Sequence, residues 1–148
     1  DSINSMLDMG YFMLSSMIRK WIVFSKMLDN VSYLHCDDKY HSLSFDIIEP
    51  YRYLVDRAVL DFLSRDNESH DPKDFIPFLF HFLSEKVFIS GLPGSTRTRY
   101  SLFRHAVMSV KMVLLDPKTR TLSLPYESSG RGRRRLPLPT VTLKISYR

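Results

Sequence analysis

Ile3, Met6, Leu7, Leu14, Met17, Ile18, Trp21 and Ile22 recur three or four residues apart over the start of the chain. That spacing lines one side of an amphipathic helix. A helix with so long an apolar stripe is stable only when other elements cover it. The opening therefore marks one buried stripe of a mostly helical chain. Ser2 is placed to cap this helix, which is expected to run to about Leu28. Gly10 interrupts the stripe at some cost in helix propensity, which a close helix contact would explain.

The remaining pattern is also mostly helical. A second helix is expected from Asp46 to Leu63, with Tyr51, Leu54, Val55, Ala58 and Phe62 inward. Residues 64–73 form a polar linker with turn chemistry. Residues 74–86 carry Phe75, Ile76, Phe78, Leu79, Phe80, Phe82 and Leu83 and predict a buried helix entered near Pro77. Val87-Phe88-Ile89 predicts a brief extended piece before the break at Gly91-Leu92-Pro93-Gly94. A helix follows from Thr98 or Ser101 to about Leu115, where Asp116-Pro117 ends it. Residues 119–124 and 140–147 alternate like strands, which predicts a hairpin. The fold class expected is mainly α: a multi-helix domain over residues 1–116, then a basic tail over residues 117–148 with a short β-hairpin.

A chain of 148 residues suffices for one domain with a real core. No apolar run approaches the roughly 20 residues of a membrane span, so no membrane is expected. A single cysteine, Cys36, forbids an internal disulfide and suits a reducing cytosol, hence a cytoplasmic protein. His35, Cys36, Asp37, Asp38 and His41 lack the paired Cys and His spacings of a structural zinc site. No serine stands in a nucleophile elbow. There is no internal repeat and no Gly-rich phosphate loop.

Charge divides the chain. Residues 1–76 hold 8 Lys and Arg against 13 Asp and Glu; residues 77–148 hold 13 against 3. A block so basic attracts polyanions. Arg97, Arg99, Arg104 and Lys111 give the helix near residue 100 a basic side. Arg131, Arg133, Arg134 and Arg135 form a flexible basic loop. Both are candidates for DNA-backbone contacts. A solvated helix face and an unstructured tail are the plainer readings.

His35 and the acids Asp46 and Glu49 carry the most chemistry. Residues three apart on a helix share a face. An imidazole folded onto that face would complete part of a hard-metal site suited to Mg2+ or Mn2+. The same residues also fit a capping box opened by Asp46, with His35 an ordinary half-buried histidine. Arg52 falls near Glu49 and Asp56, in place to orient the carboxylates or to make a plain intrahelical pair.

The wider context adds a resemblance. Asp1-Ser2-Ile3-Asn4-Ser5-Met6-Leu7-Asp8-Met9-Gly10-Tyr11 resembles the D-P-x-N-x-x-L-x-x-G-Y opening of a helix in the CRISPR-associated spacer-acquisition integrases. That pattern continues to F-L-H and then D-[LIM]-x-E-x-[FY]-R-x-x-V-D. Here stand Tyr33-Leu34-His35 and Asp46-Ile47-Ile48-Glu49-Pro50-Tyr51-Arg52-Tyr53-Leu54-Val55-Asp56. The agreement runs from about Asp1 to Leu63. Three features depart from it. Ser2 replaces a usual Pro, residues 26–32 lack the usual Gly and Pro, and Pro50 follows the acids. Asp29-Asn30 still has turn chemistry. Pro50 lies late for a first turn, which moves the expected helix start toward Ile48 or Glu49.

The resemblance implies a metal-dependent DNA endonuclease-integrase. His35 and an acid from the Asp46/Glu49 pair would be metal ligands for Mg2+ or Mn2+, with the second acid direct or through water. Activity would fall as pH drops through the histidine pKa, since the ligands must be deprotonated. The implied partners are DNA, a second copy in a homodimer, and a small ferredoxin-like companion subunit. It also implies a further ligating Glu upstream of the matching opening, so the expectation is a fragment that binds metal weakly and does not catalyse by itself. Two other functions remain open: a non-catalytic, basic, helical nucleic-acid-binding module, and a protein–protein adaptor using the aromatic segment 75–83.

Overall fold

The computed structural model describes residues 2–30, 42–65, 71–90, 96–116, 118, 121–128 and 140–142. The chain divides into two compact units between Ser84 and Glu85. Residue 116 lies within the second unit, where the helix before it packs against the strand after it.

The first unit contains α1 (Ser2–Phe24), α2 (Ser42–Ile48), a 3-10 turn (Glu49–Tyr51), α3 (Tyr53–Leu63) and α4 (Pro72–Ser84). α1 packs against α2, α3 and α4, and α3 also packs against α4. The buried residues of α1 are Met6, Gly10, Leu14, Ile18 and Ile22, spaced by four. At 3.6 residues per turn, each step of four rotates this line by about 40°, or roughly 160° from end to end. The buried stripe thus winds around the helix, and one helix meets three partners. Ile3, half exposed, falls off that line.

Gly10 marks the tightest approach. A Cβ there would overlap Val55 Cγ1 on α3 and reach Val55 Cγ2 at 3.3 Å and Phe75 Cε1 on α4 at 3.4 Å. The expected close helix contact is therefore found, and it is a three-helix contact.

α1 stops at Phe24 rather than Leu28. Lys26 takes a left-handed conformation at φ 58°. The Lys26 N–H donates to Val23 O at 2.9 Å and the Met27 N–H to Ile22 O at 3.1 Å. This is a Schellman closure with lysine where glycine is usual.

The single helix expected over residues 46–63 is broken in two. Pro50 has no N–H to donate back to Asp46, and its ring would clash with the Asp46 carbonyl in an unbroken α-helix. The backbone instead tightens into the 3-10 turn, Arg52 N–H donates to Glu49 O at 3.4 Å, and α3 begins at Tyr53. Tyr51, Leu54, Val55, Ala58 and Phe62 are all buried, as their spacing predicts.

α4 starts at Pro72, five residues before Pro77, which lies inside the helix. The Asp71 carboxylate accepts the Lys73 N–H at 2.9 Å, so Asp71-Pro72 is an N-cap followed by a first-position proline. Phe62 of α3 meets Phe75 and Phe78 of α4 at ring distances of 5.7 and 5.3 Å.

The second unit contains β1 (Lys86–Ile89), β2 (Thr96–Thr98), α5 (Tyr100–Leu115), β3 (Thr121–Ser123), β4 (Glu127–Ser128) and β5 (Thr140–Thr142). One antiparallel sheet has the order β2-β1-β4, and β3 pairs with β5 in another. Leu122 pairs with Val141 in the register of that second ladder, so the predicted pairing exists. It is not a simple hairpin, because β4 lies between its strands in sequence and pairs with β1. α5 packs with Leu102, Phe103, Ala106, Val107, Val110 and Val113 buried. Ser109 Oγ accepts the Ser123 N–H at 2.9 Å, tying α5 to β3.

Arg99 joins these pieces. It is only 4% exposed, against the expectation of a solvent-facing basic side. Its Nη1 donates to Glu85 Oε2 at 2.5 Å, while Nε and Nη2 fork onto the two Glu127 oxygens at 2.8 and 3.2 Å. Burial alone would lower the guanidinium pKa, but the two glutamates outweigh it and the net shift is upward.

Three stability measurements follow from these contacts. Gly10→Ala gains about 1 kcal/mol of helix propensity but meets the stiff Val55 side chain, at an overpacking cost of ~1–3 kcal/mol. A net loss is expected in denaturant titration, and Val55→Ala should partly suppress it. Lys26→Gly relieves the left-handed lysine and is expected to raise stability by up to about 1 kcal/mol. Arg99→Ala strands the largely buried Glu127 carboxylate and is expected to cost about 3 kcal/mol. Arg99→Lys should restore only part, since an ammonium cannot fork.

Candidate functional site

The site is built where α1 meets the broken α2–α3 segment. Residues 31–41, which carry His35, Cys36 and His41, lie outside the described residues. The ends of that segment are held together by Asp29. Its carboxylate accepts the Ser44 N–H at 2.8 Å and the Ser44 hydroxyl at 3.2 Å, and its carbonyl accepts the Leu43 N–H at 3.0 Å. Arg19 Nε lies 3.6 Å from the same carboxylate. Asp29 is thus the cap of α2, supplied from fifteen residues upstream. The segment bearing the histidine leaves and returns at one fixed place.

Asp46 is not a cap. It is the fifth residue of α2, half-buried. Glu49 opens the 3-10 turn and is exposed. Ile48 between them has φ −71° and ψ −30°, so the backbone keeps a helical sense across the junction. Positions i and i+3 stay on one side in either helix type. The two acids therefore share a side, although the helix that carries them is interrupted.

α1 reaches this junction through Tyr11. The Tyr11 hydroxyl donates to Asp56 Oδ1 on α3. The Arg52 guanidinium lies over the Tyr11 ring, 4.3 Å from its centroid, and Arg52 Nη1 donates to Glu49 Oε1 at 3.3 Å. Burial first, then the bond to Asp56, raises the Tyr11 pKa above its ordinary value, so the phenol stays a neutral donor. The Arg52 pKa is raised too, first by its contact with Tyr11 and then by Glu49. Tyr51, beside them in sequence, is pushed far above the ordinary phenol range by burial and serves the core.

Tyr11, which has no role legible in the sequence, meets here the residues expected to make a close helix contact and to orient the carboxylates. Gly10 touches Val55, and Tyr11 touches Arg52 and Asp56. The G-Y pair of α1 and the R-x-x-V-D run of α3 are two halves of one helix crossing. Asp29 was legible only as a turn residue, since its partner Ser44 is remote in sequence.

Asp46 and Glu49 each offer a carboxylate, a hard oxygen donor of the kind Mg2+ or Mn2+ takes, so the chemistry of these donors suits such a cation. Among the described residues no three His, Cys, Asp or Glu side chains cluster as a ready metal site. The third expected donor, His35, is outside them.

The candidate DNA-contact residues divide. Arg97 on β2 and Arg104 on α5 are exposed and Lys111 is half-buried, while Arg99 is turned inward. Arg131, Arg133, Arg134 and Arg135 lie outside the described residues. Among the described residues no helix is long and apolar enough to cross a membrane.

Comparison with known proteins bears on this site. No curated protein matches the chain. A solved structure, a casposase bound to integration product, is similar in fold, with TM-score 0.66 and 23% identity over 78% of this chain. This chain spans 38% of that one's length. The family model for CRISPR associated protein Cas1 matches residues 1–78. That match takes in α1, the carboxylate-bearing junction, α3 and the Gly10–Tyr11 crossing, and the chain belongs to the CRISPR associated protein Cas1 family.

Proposed function

We propose that this chain is the helical catalytic part of a metal-dependent DNA endonuclease-integrase for spacer acquisition, acting in the cytoplasm. The observation that supports the reading is the α1–α3 crossing, where Arg52, seated on the Tyr11 ring, donates to Glu49, three residues after Asp46. Membership of the Cas1 family and fold similarity to a casposase bound to integration product support it.

Asp46 and Glu49, with His35, would hold Mg2+ or Mn2+. When bound, the cation supplies Lewis-acid polarisation of a phosphodiester and favours an oxygen nucleophile for in-line attack. The chain's own residues do the rest. The Asp29 cap returns the His35 segment to the start of α2. Arg52 restrains the Glu49 carboxylate. Arg97, Arg104, Lys111 and the arginines at 131, 133, 134 and 135 would neutralise DNA phosphates, which carry affinity but little sequence information. Arg99 has no part in this, since both faces of its guanidinium fork are committed to Glu85 and Glu127. The partners proposed with DNA are a second copy of the chain and the small ferredoxin-like companion subunit.

The test is made in the full-length protein. Asp46→Ala, Glu49→Ala and His35→Ala should each lower nicking and strand joining by more than the 10–100-fold that attends loss of a supporting residue, with DNA affinity little changed. Chelation should abolish both activities. Full activity in all three variants would overturn this site, and a parent protein that binds DNA but neither nicks nor joins it would be a DNA-binding module without catalysis. Alanine at Arg131, Arg133, Arg134 and Arg135 together should weaken DNA binding uniformly across sequences and flatten its salt dependence.

A further inference from the structure

We infer that Tyr11 and Arg52 are positioning residues for Glu49, setting the carboxylate from a different helix so that one of its oxygens remains presented to the cation. The inference rests on the reading of Glu49 as a metal ligand.

An exposed Glu–Arg pair three residues apart is too weak to hold two long side chains by itself. Glu49 and Arg52 are such a pair, each side chain nearly half exposed. Three further contacts change the case. The Arg52 N–H donates to Glu49 O, so backbone and side chains close the same 3-10 turn. In a 3-10 turn residues i and i+3 stand one above the other, so the guanidinium lies over the carboxylate by construction. The guanidinium is seated on the Tyr11 ring, and the Tyr11 hydroxyl is tied to Asp56. The chain of contacts runs Asp56–Tyr11–Arg52–Glu49 and spans α3, α1 and the turn. Arg52 is bonded to one oxygen of Glu49, Oε1. A carboxylate that holds a guanidinium with one oxygen is oriented without being consumed. Supporting groups of this sort fix ligand direction and tune metal affinity. The planar guanidinium suits the task because it stacks on a ring while donating at its edge.

The experiment is a titration of the full-length protein with Mn2+ alone, read by the electron paramagnetic resonance of the free ion, with thermal melting of each variant alongside. Arg52 is solvent-accessible, so Arg52→Gln tests the role without opening the core. Arg52→Gln and Tyr11→Leu are each expected to weaken Mn2+ binding about 10-fold or more. Tyr11→Phe keeps the ring under the guanidinium and is expected to recover most of the affinity lost in Tyr11→Leu. Glu49→Ala is the reference and should weaken binding at least as much as Arg52→Gln. If Glu49→Ala weakens binding while Arg52→Gln and Tyr11→Leu bind Mn2+ as the parent does, the positioning role is overturned and the ligand reading stands. If Glu49→Ala itself leaves Mn2+ binding unchanged, both fall together. A lowered melting temperature with unaltered Mn2+ affinity in Arg52→Gln means a purely structural contact and also overturns the inference.

Discussion

The first unit depends on how closely α1 can approach α3. That distance is set by the missing side chain at Gly10, which lets the backbone of α1 lie against Val55 and Phe75. Any larger residue pushes the helices apart. At the closer spacing, Tyr11, the next residue of α1, reaches Asp56 and places its ring beneath Arg52. A packing constraint at one position thus becomes an electrostatic arrangement at the next, and the arrangement ends on a carboxylate of the candidate site. The core around it is ordinary: buried aliphatic side chains and phenylalanine rings in contact.

The same unit shows how a broken helix can be useful. Pro50 divides what periodicity reads as one helix, and the resulting 3-10 turn stacks Arg52 over Glu49. An unbroken helix would have spread these side chains along a gentler path. The two sides of the segment bearing His35 are joined in a similarly economical way, by one aspartate that caps α2. Bringing together residues fifteen apart in sequence has an entropic cost, which the Asp29–Ser44 and Asp29–Leu43 bonds oppose.

Much of this was legible in the amino-acid order because it is local. The inward face of α3 follows from the spacing of Tyr51, Leu54, Val55, Ala58 and Phe62, all buried. The start of α4 was also written locally, in Asp71-Pro72, but the apolar run beginning at Phe75 drew the boundary too late. The end of α1 was hidden, since lysine is a poor advertisement for a left-handed cap. What could not be read is whatever joins distant residues. Arg99 resembles its exposed neighbours Arg97 and Arg104 in sequence; only the fold brings Glu85 and Glu127 around it. The site divides the same way. Asp46 and Glu49 are visible as a pair, while the roles of Asp29 and Tyr11 exist only once helices cross.

This crossing is proposed to set the carboxylates of Asp46 and Glu49, with His35, for one divalent cation. Anomalous diffraction from crystals of the full-length protein soaked in Mn2+ tests it most directly. The account predicts a manganese peak within direct coordination distance, about 2.0–2.3 Å, of a carboxylate from Asp46 or Glu49 and of the His35 imidazole. A well-ordered junction with no manganese there, or with the ion bound by other acids and His35 turned away, would contradict it.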